Sequence, residues 1–256
     1  IPDTMISIGF HAFDGCKSLK QISIPSFITS IGNYCFYNCS LLDEIEVEVE
    51  YENSSKQEQS TVTIGGYSFY KCSTLKEITL PFSINSIGPN AFESCSSLEE
   101  ITIETNTEET LTAISFNDKQ VVSEIGENAF NGCSLIKRIS IPKTVTMIGE
   151  SAFMNCKSIN KIIIPSSVTS IGNCVFKGCS SLKEISIPYS VTSFGNNIFR
   201  GIKSLHISGD LSEIPKKLFS NCRLLRRVKI PSSVTKIGDL VFKGCSALEA
   251  IVIPSS

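Results

Sequence analysis

The sequence predicts an α/β repeat solenoid: a single rod of about ten stacked turns that is rich in β-strand and contains short helical or 3-10 turns. Three observations support this fold. A phenylalanine returns ten times in the same local context, a cysteine follows it by three residues in nine of those places, and an I-x-I tripeptide lies between successive copies. The intervals between the phenylalanines are 23, 33, 23, 38, 23, 23, 23, 20 and 23 residues. The ten are Phe13, Phe36, Phe69, Phe92, Phe130, Phe153, Phe176, Phe199, Phe219 and Phe242. Residues 1–256 are therefore expected to form one solenoid, in which each turn touches only its neighbours.

The I-x-I tripeptide is predicted to be a short β-strand. At Ile22 and Ile24 two apolar residues flank a polar one, which is the period-two pattern of a strand with one buried face. Pro25 follows, and because proline has no N–H it ends the hydrogen-bonded ladder and turns the chain. The same element recurs at Ile78/Leu80, Ile101/Ile103, Ile139/Ile141, Ile185/Ile187, Val228/Ile230 and Ile251/Ile253.

A V-x-x-I element comes next and is predicted to run along the opposite wall of the rod. Val168 and Ile171 are one such pair, and Gly172 follows them directly. A glycine here permits a sharp corner, and we expect it to adopt a positive φ. The equivalent corner glycines are Gly32, Gly88, Gly149 and Gly238.

The A-F-x-x-C-x-x-L stretch completes each turn. Its apolar residues are spaced by three, which favours a helical or 3-10 turn over a strand. With turns stacked about 4.8 Å apart, the spacing of strands in a sheet, the phenylalanines would form a continuous column in the core.

The repeat is specific enough to resemble a known family. Residues 164–188 read I-P-S-S-V-T-S-I-G-N-C-V-F-K-G-C-S-S-L-K-E-I-S-I-P and resemble the 23-residue, Treponema-type leucine-rich repeat of the BspA-like class. The resemblance covers the whole chain apart from two insertions. It implies a right-handed, arched leucine-rich-repeat solenoid with a parallel sheet on one wall. It also implies a role in cell-surface adhesion or in binding host proteins.

The eleven cysteines follow the repeat. Nine occupy the position three after phenylalanine, and Cys35 and Cys174 lie just before one. A disulfide framework is the alternative reading, but equivalent cysteines in neighbouring turns would have parallel side chains about 4.8 Å apart, which is poor disulfide geometry. We therefore interpret the cysteines as small buried side chains that fill a tight corner.

Three intervals depart from the period of 23 residues. Insertions lie at about residues 46–61, which contain E-V-E-V-E-Y-E, and at about residues 104–120. Both leave the repeat just after the I-x-I strand, so both are expected to project from one edge of the rod. Insertions of this kind are either tolerated loop variation or part of a binding face. The short interval between Phe199 and Phe219 has lost three residues, with Ile202 near the cysteine or leucine position and Pro215 in place of the corner glycine, and it is expected to tighten the rod.

Charge is divided between the two halves of the chain, although the net charge is only -2. Residues 1–125 carry 6 Lys/Arg and 18 Asp/Glu, whereas the remainder carries 17 Lys/Arg and 7 Asp/Glu. The outward strand positions follow the same division, and they form our candidate partner-binding surface. These residues are Glu44, Glu46, Glu77 and Glu100 in the early turns and Arg138, Lys161, Arg227 and Lys229 in the later ones. Such a rod could steer a bipolar partner or associate head to tail, although drift of surface charge gives the same pattern.

No enzyme motif is present in the sequence: there is no nucleophile elbow, phosphate-binding loop or zinc signature. His11 and His206 are expected at the surface, and we expect no catalytic residue, cofactor or metal. The near-neutral net charge excludes a general electrostatic bias toward nucleic acid. The absence of any apolar run of 18 residues excludes direct membrane insertion within this segment. The segment starts and stops in the same phase of the repeat, so we expect it to be an excerpt of a longer array.

The sequence thus predicts a non-enzymatic protein-protein interaction module, either an adhesion molecule at the cell surface (or secreted) or, as the alternative, an intracellular scaffold in a larger assembly. Its partner would be a protein, or else a glycan. Asn53, in the first insertion, matches the N-glycosylation acceptor sequence and is the candidate acceptor if the protein is secreted.

Overall fold

A computed structural model describes residues 4–25, 28–47, 62–80, 84–103 and 123–253. These residues contain twenty short strands, β1 to β20, in two walls. The glycine wall, which precedes the corner glycines, consists of β1 (Ser7–Ile8), β3 (Ser30–Ile31), β5 (Val62–Ile64), β7 (Ile84–Ile87), β9 (Glu124–Ile125), β11 (Met147–Ile148), β13 (Ser170–Ile171), β15 (Ser193–Phe194), β17 (Glu213–Ile214) and β19 (Lys236–Ile237). The proline wall, formed by the I-x-I strands, consists of β2 (Gln21–Ile24), β4 (Glu44–Val47), β6 (Glu77–Leu80), β8 (Glu100–Ile103), β10 (Arg138–Ile139), β12 (Lys161–Ile163), β14 (Glu184–Ser186), β16 (Ser204–Ser208), β18 (Arg227–Lys229) and β20 (Ala250–Val252).

Every strand pairs in parallel with the equivalent strand one turn away, so the solenoid predicted from the periodicity is confirmed. Ile8 lies opposite Ile31, for example, and Ile162 opposite Ile185. The glycine wall is one hydrogen-bonded sheet from β1 to β15, followed by the pair β17 and β19. The proline wall comprises three sheets: β2-β4, β6-β8-β10 and β12-β14-β16-β18-β20. Parallel sheets thus line both walls, whereas the family resemblance implied one.

The third side of the rod, which we call the turn wall, carries the Phe-x-x-Cys-x-x-Leu stretches. The predicted helical or 3-10 turns are wrong for the described residues, which form hydrogen-bonded turns without a helix. Cys39 N donates to Phe36 O within one turn (3.2 Å), but Phe36 N donates to Ser68 O in the next turn (2.7 Å). The left-handed residues Tyr34 (φ 57°) and Asn38 (φ 58°) also interrupt the stretch. Because only some N–H groups bond within their own turn, the backbone cannot continue as a helix.

The phenylalanine column forms the centre of the core, as predicted. Successive rings are stacked, with centroids 4.9 Å apart at Phe69–Phe92 and 5.9 Å apart at Phe176–Phe199. The rings from Phe36 to Phe219 are buried, and those of Phe13 and Phe242 are partly buried.

The corner glycines are needed for a different reason from the one the sequence suggested. The predicted positive φ is wrong for Gly32, Gly88, Gly149, Gly172 and Gly238. A Cβ built on Gly172 would lie 2.7 Å from Glu150 N and 2.9 Å from Gly149 C, both backbone atoms of the preceding turn. Glycine is therefore required because neighbouring turns approach each other closely at the corner, and the positive φ occurs two residues later.

The short interval also has a defined structure. Ile202 N donates to Phe199 O (3.3 Å), which assigns Ile202 to the cysteine position, and the three missing residues remove the leucine position that follows it. On the glycine wall no pairing joins β15 to β17, and on the turn wall no backbone bond joins Phe199 to the next turn, within the continuous stretch 123–253. The Phe199 and Phe219 rings are also tilted by 25°, whereas Phe219 and Phe242 differ by 2°. Within 123–253, the hydrogen bonds that remain across this junction are those of the proline wall, through β14, β16 and β18, and one from Tyr189 N to Asp210 Oδ1 (2.8 Å) just after that wall.

Candidate functional site

The predicted charged surface lies on the outside of the proline wall. Glu77 is opposite Glu100, and Glu100 is opposite Arg138, so the acidic side chains change to basic ones between the neighbouring strands β8 and β10. Glu44 lies in β4, which is adjacent to β6, and Lys161 lies in β12, which is adjacent to β10. All five side chains are exposed. The backbone of Glu46 lies in β4 opposite Ser23.

Arg227 and Lys229 are also exposed on this wall, but the short interval changes their alignment. His206 lies opposite Glu184 on one side and Lys229 on the other, whereas Arg227 lies opposite Ser204. Lys229 therefore continues the row that contains Glu100, Arg138 and Lys161, and Arg227 belongs to a row two residues earlier. Counting forward from the phenylalanines does not find this shift.

Sequence reasoning missed Glu184, which lies within the basic half of the row. Its carboxylate contacts Lys161 Nζ at 3.0 Å. A similar exposed pair joins Lys137 to Glu99 at 2.6 Å, and Lys137 holds the pKa of the Glu99 carboxyl below its usual value. These contacts could have been found as opposite charges one repeat apart. They neutralise part of the later basic surface, although exposed pairs add only about 0–1 kcal/mol to stability.

A shallow cleft lies next to the change of charge. β10 and β12 are neighbours but are not hydrogen-bonded to each other, and a cleft of about 730 Å³ opens there. Arg138, Lys143 and Lys161 line it together with Ile139 and Ile163, and Ile163 is 60% exposed. The cleft therefore combines basic groups with accessible apolar surface.

Sequence reasoning also missed a cluster of aromatic side chains on the turn wall. We call Phe10, His11, Tyr34, Tyr37, Tyr67 and Tyr70 the tyrosine patch; four of the six tyrosines in the chain are in it. The His11, Tyr34 and Tyr67 rings stack in one row with 4.8 Å between centroids, and the Tyr37 and Tyr70 rings stack in a second row at 5.0 Å. The signal was available, because these tyrosines are 33 residues apart, which is also the interval between Phe36 and Phe69.

The two histidines, both predicted at the surface, differ in exposure. His11 is exposed and its Nδ1 is 2.5 Å from Asp14 Oδ2, whereas His206 lies in β16 and is half-buried. Among the described residues, no group of three or more His, Cys, Asp or Glu side chains is arranged to hold a metal ion. The same residues contain no helix of the length and apolarity needed to span a membrane.

Comparison with known proteins identifies the family. The description "BspA type Leucine rich repeat region" matches in six copies, over residues 1–110, 107–208 and 148–256. The chain belongs to the BspA-type leucine-rich repeat family. Members of this family are typically non-enzymatic binding modules.

Several solved leucine-rich repeat proteins are similar to this BspA-type array. One from Bacteroides ovatus is 26% identical, with a TM-score of 0.48, and the match covers 95% of this chain and 69% of that one. The Treponema pallidum leucine-rich repeat protein is 23% identical, with a TM-score of 0.49, over 78% of this chain and 74% of that one. A leucine-rich cell surface protein from Faecalibacterium prausnitzii is 24% identical, with a TM-score of 0.41, over 98% of this chain and 83% of that one. Comparison with curated proteins gave no match.

The cysteines of this BspA-type repeat link neighbouring turns through hydrogen bonds. All eleven are free thiols, and those at the repeat position are buried from Cys39 to Cys222, which confirms the predicted role as small core side chains. Each repeat-position thiol from Cys39 to Cys179 also donates to the phenylalanine carbonyl of the preceding turn, as Cys156 Sγ does to Phe130 O at 3.2 Å. Burial raises the pKa of the Cys179 thiol to about 12, so it stays protonated and unreactive at neutral pH.

Proposed function

We propose that this array is a non-enzymatic binding module, displayed at the cell surface or secreted, which holds a protein partner against the outside of the proline wall. The observation that carries the proposal is the ordered change of charge along that wall. Glu44, Glu77 and Glu100 precede Arg138 and Lys161 on successive strands, and all of them are exposed. Parallel strands on a rigid frame hold these groups at fixed spacing.

Two physical arguments support a partner with the reverse arrangement of charge. Side chains whose backbone is already ordered lose little conformational freedom on binding, so more of the interaction energy is retained as affinity. Opposite charges at the two ends of the wall also attract and orient a bipolar partner before contact. The cleft between β10 and β12, with Ile139 and Ile163 beside the basic groups, offers the apolar contact that charge alone lacks.

The two insertions would lie at the rim of this surface. Residues 48–61 and 104–122 are outside the described part of the chain, but the segments before them are described. The first insertion follows β4, which ends at Val47, and the second follows β8, which ends at Ile103. Both therefore leave from the same end of proline-wall strands, two turns apart, and the proposal includes them as contacts at the edge of the binding surface.

The surface location rests on the family resemblance. Asn53, in the first insertion, would carry a glycan in a secreted form of a eukaryotic protein, and loss of mass on treatment with an amidase specific for N-linked glycans would detect it. One observation favours the intracellular scaffold instead: all eleven cysteines are free thiols, which is usual in reducing compartments. Surface biotinylation of cells that express the full-length gene separates the two locations.

Charge-reversal variants test the binding proposal. One variant carries Glu77→Lys and Glu100→Lys, a second carries Arg138→Glu and Lys161→Glu, and the control reverses Arg223 and Lys243, which are exposed on the turn wall. Binding to a panel of purified extracellular proteins is measured by biolayer interferometry at two salt concentrations. We expect a partner that binds the native array and the control but neither wall variant, and whose affinity falls as salt rises. A partner that binds all three variants equally, with no dependence on salt, contradicts the proposal.

A second array that lacks both insertions tests their part separately. If the insertions contact the partner at the rim, their deletion weakens binding while the wall variants still abolish it. If deletion leaves the affinity unchanged, the insertions are tolerated loops and only the wall binds.

A further inference from the structure

The tyrosine patch occupies positions that later turns fill with non-aromatic residues. Two rows of the turn wall contain its rings: one lies two residues after the corner, and the other directly follows the core phenylalanine. In later turns the first row holds Asn90, Asn128, Ser151, Cys174, Asn197, Lys217 and Leu240, and the second holds Glu93, Asn131, Met154, Lys177, Arg200, Ser220 and Lys243. The fold therefore does not require aromatic rings at either position.

The backbone makes the first row an unfavourable place for large side chains. His11, Tyr34 and Tyr67 have φ values of 55°, 57° and 58°, as do the asparagines that replace them in later turns. Asparagine adopts this left-handed conformation more readily than bulky residues do. Lys217 (φ 63°) and Leu240 (φ 58°) show that the position also accepts large side chains, so what distinguishes the early turns is three successive aromatic rings in one row.

The patch is accessible from solvent. The ring of Phe10 is 65% exposed and meets His11 and Tyr34 edge to face, and His11 is exposed as well. The tyrosines are half-buried, in contrast to the buried phenylalanine column directly beneath them. Tyrosine and phenylalanine in this setting are typical of protein-binding surfaces.

One end of the Tyr37–Tyr70 stack holds a cation. Lys71 Nζ lies 5.2 Å from the centre of the Tyr70 ring, whose other face packs on Tyr37. Glu93 follows Tyr70 in the same row, and Lys71 acts on it electrostatically. The Tyr70 end therefore combines an aromatic face, a cation and a nearby carboxylate.

The other end of the same stack has a carboxylate whose contact is with His11 and not with a lysine. Asp14 occupies the same row one turn before Tyr37, is exposed, and bonds to His11. Across the described parts of the chain, no lysine or arginine lies over the Tyr37 ring. The outer side of Tyr37 therefore combines an aromatic ring with an acidic group in the same row, and Tyr34, which contacts Phe10 and His11, lies 5.5 Å from it between ring centroids.

We propose that this end of the tyrosine patch binds an arginine side chain of a partner protein, with the guanidinium placed over Tyr37 and paired with Asp14. Arginine fits better than lysine because its planar, weakly hydrated guanidinium stacks on aromatic rings while it donates to a carboxylate. A sugar is the less favoured ligand, because it needs broad open ring faces, and both faces of Tyr34 and one face of Tyr67 are covered by stacking. This site lies on the turn wall, so its test is independent of the test of the surface on the proline wall.

The test uses the chain with labelled tyrosines, whose small number makes their signals resolvable. The probes are the peptide (Gly-Arg)₃-Gly, the matched lysine and citrulline peptides, and tri-N-acetylglucosamine. We expect the arginine peptide to bind at least about threefold more tightly than the lysine peptide and to shift the NMR signals of Tyr37 but not those of Tyr189, which is exposed elsewhere. Asp14→Asn and Tyr37→Asn should each weaken binding about three- to fivefold, as expected for one exposed ion pair or one cation–π contact.

Two further variants separate binding from folding. Tyr37→Phe keeps the ring and should bind normally, and the control Tyr189→Asn should have no effect. Equal affinity for the arginine and lysine peptides, or normal binding by Tyr37→Asn, overturns the proposal in favour of general attraction between opposite charges. Tyr37 shifts caused by the sugar and not by the arginine peptide overturn it in favour of glycan binding.

Discussion

Replacing a corner glycine by alanine tests the close approach of neighbouring turns. In Gly172→Ala the new methyl group would lie 2.7–3.0 Å from backbone atoms of Gly149 and Glu150, a separation that Cβ atoms do not tolerate. The contact can be relieved only if the two turns move apart, which weakens the bond from Gly172 N to Ile148 O (2.8 Å). Overpacking costs about 1–3 kcal/mol and a weakened hydrogen bond about 1 kcal/mol, so we expect a loss of roughly 2–4 kcal/mol.

A protein that consists of residues 1–256 provides a matched control in its first described turn. Gly9 occupies the same corner after the same Ser-Ile dipeptide, its φ is not positive, and a Cβ built there has no neighbour within 4 Å. Gly9→Ala should therefore be neutral, or stabilise by about 0.4–1 kcal/mol because alanine restricts the unfolded chain. Urea denaturation followed by circular dichroism compares the two variants with the native chain. Equal stability of Gly172→Ala and Gly9→Ala would refute the close-approach argument, and it would leave the glycine column without a steric explanation.

Three further outcomes follow from the core. Phe153→Ala removes a ring that is stacked on both sides and should lower the free energy of unfolding, measured by urea denaturation, by about 3–5 kcal/mol. Phe242 is partly buried and stacked on one side, so Phe242→Ala should cost clearly less. Equal losses would argue against a continuous column. A thiol reagent added to the folded protein should modify the exposed Cys16 within minutes and Cys156 only on unfolding. Mass spectrometry of the labelled peptides measures both rates. Rapid labelling of Cys156 would contradict its burial. Burial raises the pKa of the Cys179 thiol from 9.0 to about 12, so the stability that the protonated thiol contributes is complete below pH 9 and is lost as pH rises toward 12. The urea midpoint of the native chain should therefore fall more steeply between pH 9 and 12 than that of Cys179→Ala. Equal falls in the two proteins would contradict the raised pKa.

Much of the fold can be predicted from the sequence because each repeat contains the local signals for its own strand and turns. The I-x-I alternation, the proline after it and the recurrent phenylalanine each report a local or stacking requirement, and strands such as Lys161–Ile163 form where the pattern places them. The helical turns were wrong because a spacing of three fits both a helix and a chain of turns. What separates the two is whether Phe36 N bonds within its turn or to Ser68 in the next, and a single repeat does not contain that information.

The glycine prediction failed for a related reason. The recurrence of glycine at the corner shows that the position favours glycine, but a positive φ and a close neighbour both account for that preference. Only the position of the adjacent turn distinguishes them. The register of Lys229 depended likewise on where the three residues were lost, and the structure locates that loss after Ile202.

The candidate surfaces were predicted less completely than the fold. Alternation in the strands was enough to place Glu100 and Arg138 side by side on the outside. The tyrosine patch was not predicted because Tyr34 and Tyr37 lie at positions where the residue varies from one repeat to the next. Side chains that differ between turns gain meaning only when the turns are stacked, since Tyr34 meets Tyr67 across an insertion.

The junction at the short interval has a mechanical consequence. Two of the three walls lack hydrogen bonds between the turns of Phe199 and Phe219, and a cavity of about 610 Å³ opens there beside Phe194 and Pro215. Because strand pairing at this junction is retained in the proline wall alone, we expect the angle between the last turns and the preceding turns to be less fixed here than between other turns. A partner that contacts both sides of the junction would have to bind at one value of that angle. The last turns, which include Lys229, would then contact the partner as a separate unit.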